Sequence, residues 1–202
     1  MEEFRSKSVN FRIEIPFFYL VMSSKNPTKN MKPTLVEIKA KCAEPEKIAA
    51  KLKALNARFI GIDHQIDTYF QVPNGRLKLR QGSIENHLIF YSRNNQAGPK
   101  QSNVMLYKPQ ESDVLREILA TAVGEKVVVN KQRQIYFIDN VKFHIDIVKG
   151  LGSFMEIEAI DEKGTIGTAR LHEQCTYYMN LLNVKTEDLI ENSYSDMILE
   201  TH

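Results

Sequence analysis

Charges placed at every second position constrain this chain more than any other feature of its sequence. Side chains of an extended strand point alternately to opposite faces, so residues two apart share a surface. Arg76, Lys78 and Arg80 fall on one face, with Leu77 and Leu79 on the other. Glu37, Lys39 and Lys41 oppose Val36, Ile38 and Ala40 in the same way, and Lys131 and Arg133 repeat the period. Carboxylates follow it too: His144 shares a face with Asp146, and Glu156 with Glu158, backed by Met155 and Ile157. Arg93 and Lys108 end two intervening strands. A helix would scatter these charges around its axis, whereas strands gather them into one charged and one apolar sheet face.

The remaining elements fit the same sheet. Strands are expected over 33–42, 59–72, 76–81, 87–93, 102–108, 126–138, 141–148 and 153–160. Pro73-Asn74-Gly75 is a turn signal, Gly98-Pro99 a loop, and Gly150 and Gly152 punctuate the last connection. Glu44-Pro45 opens a helix whose Ile48, Leu52 and Leu55 form one stripe. Ser112-Asp113 caps a second helix carrying Leu115, Ile118 and Leu119. A third spans 165–183, with Leu171, Cys175, Tyr178 and Leu182 on one side. About eight strands with short connections predict an antiparallel sheet. Closing it into a barrel removes its exposed edges and encloses one face. The expected fold class is therefore α+β: an eight-stranded antiparallel barrel with flanking helices.

Residues 1–31 read as an extension, and 32–202 as one domain. The apolar stretch Ile15–Met22 follows a segment without net positive charge and lacks a small-residue exit, so it does not read as a signal peptide. Residues 23–30 form a polar linker, and Met22 and Met31 would each serve as a later start. Cys42 and Cys175 match no metal spacing and read as free thiols of a reducing, cytoplasmic compartment. A net charge of +2 supplies no global field for nucleic acid, and no apolar run is long enough to span a membrane.

A solvated sheet face laced with weak cross-strand ion pairs would explain any single strand. Applied to every strand it fails, because the cations recur in rows and outnumber the carboxylates counted with them. Such a surface is best stabilised by a polyanion. Oxygen-only clusters at Glu37 and at Asp146, Glu156 and Glu158 suit hard cations such as Mg²⁺ or Mn²⁺. Basic side chains together with a carboxylate-held metal are what phosphoryl transfer requires. The five histidines show no HExxH spacing and read as surface or core residues. Neither a phosphate-binding GK[ST] loop nor a GxSxG elbow is present.

At these residues the sequence resembles the CYTH superfamily, the triphosphate tunnel metalloenzymes. Val36-Glu37-Ile38-Lys39-Ala40-Lys41 is similar to the opening ExExK strand. Residues 67–70 and 75–80 resemble the next strands, and 144–158 resembles the HLDxVxGLGxFxExE segment. Residues 192–196 are similar to the closing motif of class IV adenylate cyclase-like members. The resemblance implies a tunnel in which Glu37, Glu156 and Glu158 hold one or two divalent ions, with Asp146 supporting metal or cationic side chains. It implies phosphate contacts from Lys39, Arg76, Lys78, Arg93, Lys131 and Arg133, and either phosphate or carboxylate partners for Arg80 and Lys108. Lys39, Arg133 and Asp146 are the implied catalytic residues. Leu35 stands where the broad motif has its first glutamate.

The implied substrate is a small-molecule triphosphate: ATP, thiamine triphosphate or tripolyphosphate. Three functions follow from the family's range. They are a cyclase forming cyclic AMP and pyrophosphate, a triphosphatase, and a non-catalytic binder. A homodimer is compatible with the sequence.

Overall fold

The computed structural model describes residues 34–92 and 98–201. Arg93 and the expectations for residues 1–31 lie outside the described residues. Eight strands run in chain order: β1 (Thr34–Lys41), β2 (Arg58–Phe70), β3 (Arg76–Gln81), β4 (His87–Ser92), β5 (Lys100–Tyr107), β6 (Glu125–Ile138), β7 (Val141–Val148) and β8 (Gly152–Asp161). They close a barrel in the order β1-β5-β4-β3-β2-β6-β7-β8. All ladders are antiparallel. Among the described residues, four α-helices decorate it: α1 (Pro45–Ala54), α2 (Ser112–Val123), α3 (Thr168–Leu181) and α4 (Tyr194–Glu200).

The barrel is polar inside and apolar outside. The outer faces of β1, β7 and β8 contribute Val36, Ile38, Phe143, Ile145, Met155 and Ile157, which pack under α1 and α3 with Leu52, Leu171, Cys175 and Leu182. Each such side chain contributes about 1.5–3 kcal/mol on burial. The stripes read from sequence on α1 and α3 are the ones that face this core. Both helices stop by the same device. Asn56 and Asn183 take left-handed φ of 57° and 60°. The following amides of Ala57 and Val184 reach back to the Leu52 and Met179 carbonyls, each at 2.9 Å. Asparagine is one of the few side chains that tolerates this conformation.

Elsewhere the structure departs from the expected elements. Ser112 is the first residue of α2, not its cap; Glu111 occupies the N-cap, and no α2 residue is buried. Lys100, just before the strand expected over 102–108, opens β5 opposite Glu37. The β1–β5 ladder pairs only Thr34–Glu37 with Lys100–Asn103. Beyond it the C-terminal segment takes over the edge: the Ile190 amide donates to the Lys39 carbonyl at 2.9 Å, and Leu189 bridges Ala40. That seam anchors α4, which the apolar periodicity did not reveal. Its start is fixed by a capping box between Ser193 and Asp196.

Candidate active site

Register decides which charges meet inside the barrel, because directly paired residues share a face. Lys39 lies opposite Glu156 and Glu37 opposite Glu158. Arg133 lies opposite Asp146, and His144 opposite Glu156. On the far wall Asp67 pairs with Arg80, and Tyr69 with Lys78. The two predicted charged walls therefore face one interior.

Around Glu156 the contacts are dense. Its carboxylate meets Lys39 Nζ at 3.3 Å, Arg133 at 2.7 Å and His144 Nδ1 at 3.1 Å. Glu158 lies 3.5 Å from the same His144 nitrogen. Arg133 also donates two bonds to Asp146, at 2.7 and 2.5 Å. Tyr194, reaching in from α4, donates its hydroxyl to Asp146 at 2.9 Å, and its ring lies 3.9 Å from Lys39 Nζ. Burial would raise the Glu156 carboxyl, but Arg133 and Lys39 hold it well below the usual range. Burial, then the Arg133 charge, lowers the His144 imidazole and favours its neutral form.

A second cluster centres on Asp67. It accepts from Arg80 at 2.8 and 2.9 Å, from Lys78 at 3.0 Å and from Lys131 at 2.7 Å. Burial opposes its ionisation, yet Arg80, Lys131 and Lys78 together keep its pKa well below normal. Burial drives the Lys131 ammonium down to about 7 despite Asp67. Glu85, from the loop between β3 and β4, pairs with Arg80 at 2.7 Å and with Lys142. The same loop binds Asp63, which accepts from the Ser83, Ile84 and Glu85 amides. This loop packs over Asp63 at one end of the barrel.

The excess of cations expected from sequence is corrected here. Asp63, Asp67 and Glu85 are buried acids that offset the cations. The first two lie on the predicted period of β2, whereas Glu85 is a loop residue with no sequence signal. Lys100, Lys142 and His144 also belong to the buried interior; period 2 places Lys142 beside His144 and Asp146. Of the expected phosphate contacts, Lys39, Lys78, Lys131 and Arg133 converge inside, while Arg80 is held between Asp67 and Glu85. Arg76 sits at the opposite, α4-covered end, 2.9 Å from Asp196. Lys108 is exposed just beyond β5 and does not join the buried group.

His144, Glu156 and Glu158 each offer a ligand atom within 4.8 Å of the others, a donor set that suits a divalent cation. Glu37 faces Glu158 across the β1–β8 ladder, from which it could add another oxygen. Asp146 is outside that group. Its oxygens accept from Arg133 and Tyr194.

The profile of the CYTH domain matches residues 34–194, the length of the barrel into α4. The chain belongs to the CYTH domain family. Among relatives of this CYTH chain, a Methanocaldococcus jannaschii protein named "Putative adenylate cyclase MJ0240" is 28% identical over a 181-position alignment that covers 80% of this chain and 97% of that one. The PH1012 protein of Pyrococcus horikoshii OT3 superposes with a TM-score of 0.69 at 24% identity, covering 80% of this chain and 98% of its own. A Hippeastrum protein, described as a putative adenylyl cyclase with a dominant triphosphatase activity, superposes at 0.54 with 13% identity, covering 82% and 94%. Both superpositions establish the CYTH barrel as the shared fold. Among the described residues, no helix is long and apolar enough to cross a membrane.

Proposed function

We propose that this CYTH chain is a metal-dependent enzyme that converts ATP to cyclic AMP and pyrophosphate inside the barrel. The ribose 3′ oxygen forms a bond to the α-phosphorus as the bond from that phosphorus to the β-phosphate bridging oxygen breaks. The hydroxyl proton leaves to solvent, and pyrophosphate departs. The observation that carries this reading is the buried junction at Glu156, where Lys39, Arg133 and His144 converge beside Glu158. Phosphoryl chemistry needs little covalent help and much charge positioning.

Lys39 and Arg133 would bind phosphate oxygens in exchange for their present carboxylate partners. Asp146 and Tyr194 hold the Arg133 fork in place, and Asp67 positions Lys78 and Lys131 along the opposite wall. Glu156 and Glu158, with His144 and Glu37 beside them, would hold Mg²⁺ or Mn²⁺. Bound there, such an ion neutralises leaving-group charge and lowers the pKa of the attacking hydroxyl. The buried free thiols of Cys42 and Cys175 support a reducing, cytoplasmic setting.

Hydrolysis is the second reading. Opposite Ile160 on the inner face, Leu35 leaves Glu37 as the carboxylate that the β1 motif contributes. Fewer oxygen donors weaken one metal position, which is the mark of the third reading, a non-catalytic binder. The Hippeastrum protein carries a dominant triphosphatase activity on the same fold, so the fold does not choose the nucleophile. Incubation with ATP and Mg²⁺ or Mn²⁺ decides. Cyclic AMP with pyrophosphate supports the cyclase. ADP or AMP without cyclic product replaces it with the hydrolase, and binding without turnover makes the chain a binding module.

A further inference from the structure

Outside the barrel, one part of the sheet is left bare. Leu79, Leu88 and Tyr107 form a row across β3, β4 and β5, and Leu77, Phe90 and Met105 form a second, because paired residues share a face. Lys78 and Arg80, which alternate with Leu77 and Leu79, meet Asp67 inside the barrel, so both rows look outward. Coverage fades along each row. Leu79 is fully buried, Leu88 half-buried and Tyr107 57% exposed. Leu77 and Phe90 are half-buried, and Met105 is 47% exposed. The gradient follows from α2, which packs against β2 and β3 and leaves the β5 end of each row open.

α2 presents a second apolar side to the same opening. Arg116 donates to the Thr68 hydroxyl at 3.2 Å and pairs with Glu125 at 2.7 Å, which fixes that side of the helix toward β2 and β6. Val114 and Ile118 each lie two residues from Arg116, about 200° around the axis, and so fall on the side nearer β4 and β5. They are 49% and 57% exposed. A helix with no buried residue beside an open apolar sheet face is an incomplete packing unit.

We propose that the groove between α2 and β5 is a two-fold interface with a second copy of this chain. Met105, Tyr107, Val114 and Ile118 leave on the order of 400 Å² exposed, about half of the ~800 Å² per partner that a standard interface buries, with the polar rim to supply the rest. That rim favours a copy of itself over a partner of one charge sign. Lys108 is exposed at the end of β5, and Glu111 and Glu117 are exposed at the start of α2 and within it. A two-fold axis sets such a margin against its own counterpart, so a rim carrying both signs can neutralise itself across the interface. The net charge of +2 adds little repulsion between copies. These residues lie outside the barrel, so the proposal does not depend on the reaction within it.

Sedimentation velocity of the full chain over a concentration series centred on about 20 µM tests the interface. The 23.3 kDa chain should sediment at twice its mass. Ile118→Glu and Tyr107→Glu, at exposed positions on separate elements, should each raise the dimer dissociation constant at least tenfold while far-UV circular dichroism stays that of wild type. Ile147→Glu, at a 49% exposed apolar position on β7, is the control and should leave the constant within twofold. If one interface variant loses its fold, the other decides. A wild-type chain that sediments as a monomer, or as an open series of larger species, overturns the proposal. So does an unchanged dissociation constant in either folded interface variant. A dimer broken by Ile147→Glu instead places the contact elsewhere on the barrel and overturns it as well.

Discussion

Arg133→Ala probes the centre of the site, and its cost can be worked from three contacts. The guanidinium donates to Asp146 at 2.7 and 2.5 Å and to Glu156 at 2.7 Å, and all three side chains are buried. Truncation leaves two carboxylates inside the barrel with fewer partners. Breaking a buried ion pair from one side typically costs about 3–5 kcal/mol. For a chain of this size each kcal/mol moves Tm by roughly 2–4 °C, so Tm should fall by about 6–20 °C. Triphosphate affinity should fall by about 1.5–3 kcal/mol, the scale of a hydrogen bond to a charged group, or roughly 10- to 150-fold. The pH profile provides an independent readout. Arg133 is the largest influence opposing burial in holding Glu156 well below its usual pKa. A carboxyl depressed in the folded state contributes stability above its unfolded pKa and loses it as pH falls through the folded value. Without Arg133 that depression shrinks, so the acid limb of the Tm–pH curve should move to higher pH. Thermal unfolding from pH 3 to 8 and tripolyphosphate calorimetry at pH 7.5 test these together. A Tm within about 2 °C of wild type, with unchanged affinity, would refute the assignment of Arg133 as the central cation.

Two further outcomes are expected. Glu158→Gln keeps shape and removes charge; the fold should persist while Mn²⁺ binding in the presence of tripolyphosphate, followed by the paramagnetic resonance of free Mn²⁺, weakens at least tenfold, and equal binding by the variant would exclude Glu158 as a ligand. Lys131, driven by burial from 10.5 down to about 7, binds a proton in the unfolded but not the native chain between those values, so it makes stability rise with pH across that window and exerts its full penalty below it; Lys131→Met should flatten the rise in urea-unfolding free energy from pH 7 to 10, and identical slopes would show that Lys131 does not titrate there.

How much of this molecule is written locally follows from the range over which each signal acts. Alternation along a strand is a property of neighbours two residues apart. The charged faces of β1, β3, β6, β7 and β8, the stripes of α1 and α3, and the barrel class were therefore legible in sequence. The period of residues 144–158 likewise placed His144 with Asp146 and Glu156 with Glu158 on shared strand faces. What alternation cannot state is register, because sliding one strand by two residues preserves every face and changes every partner. Barrel closure set that register, bringing Lys39 to Glu156 and Arg133 to Asp146. It also turned Asp67 toward three cations at once, making the interior largely self-neutralised where the sequence had suggested surplus positive charge. Glu85 could not be found by periodicity because it sits in a loop, held over the barrel by backbone bonds to Asp63. Tyr194 and Asp196 reach the interior from the far end of the chain, through the seam that Leu189 and Ile190 make with β1. The alternating sequence determined that a charged interior would exist. Which charges are neutralised within it and how the loops and α4 cover its ends were decided by contacts between residues distant in the chain, whose energies exist only once the barrel has closed.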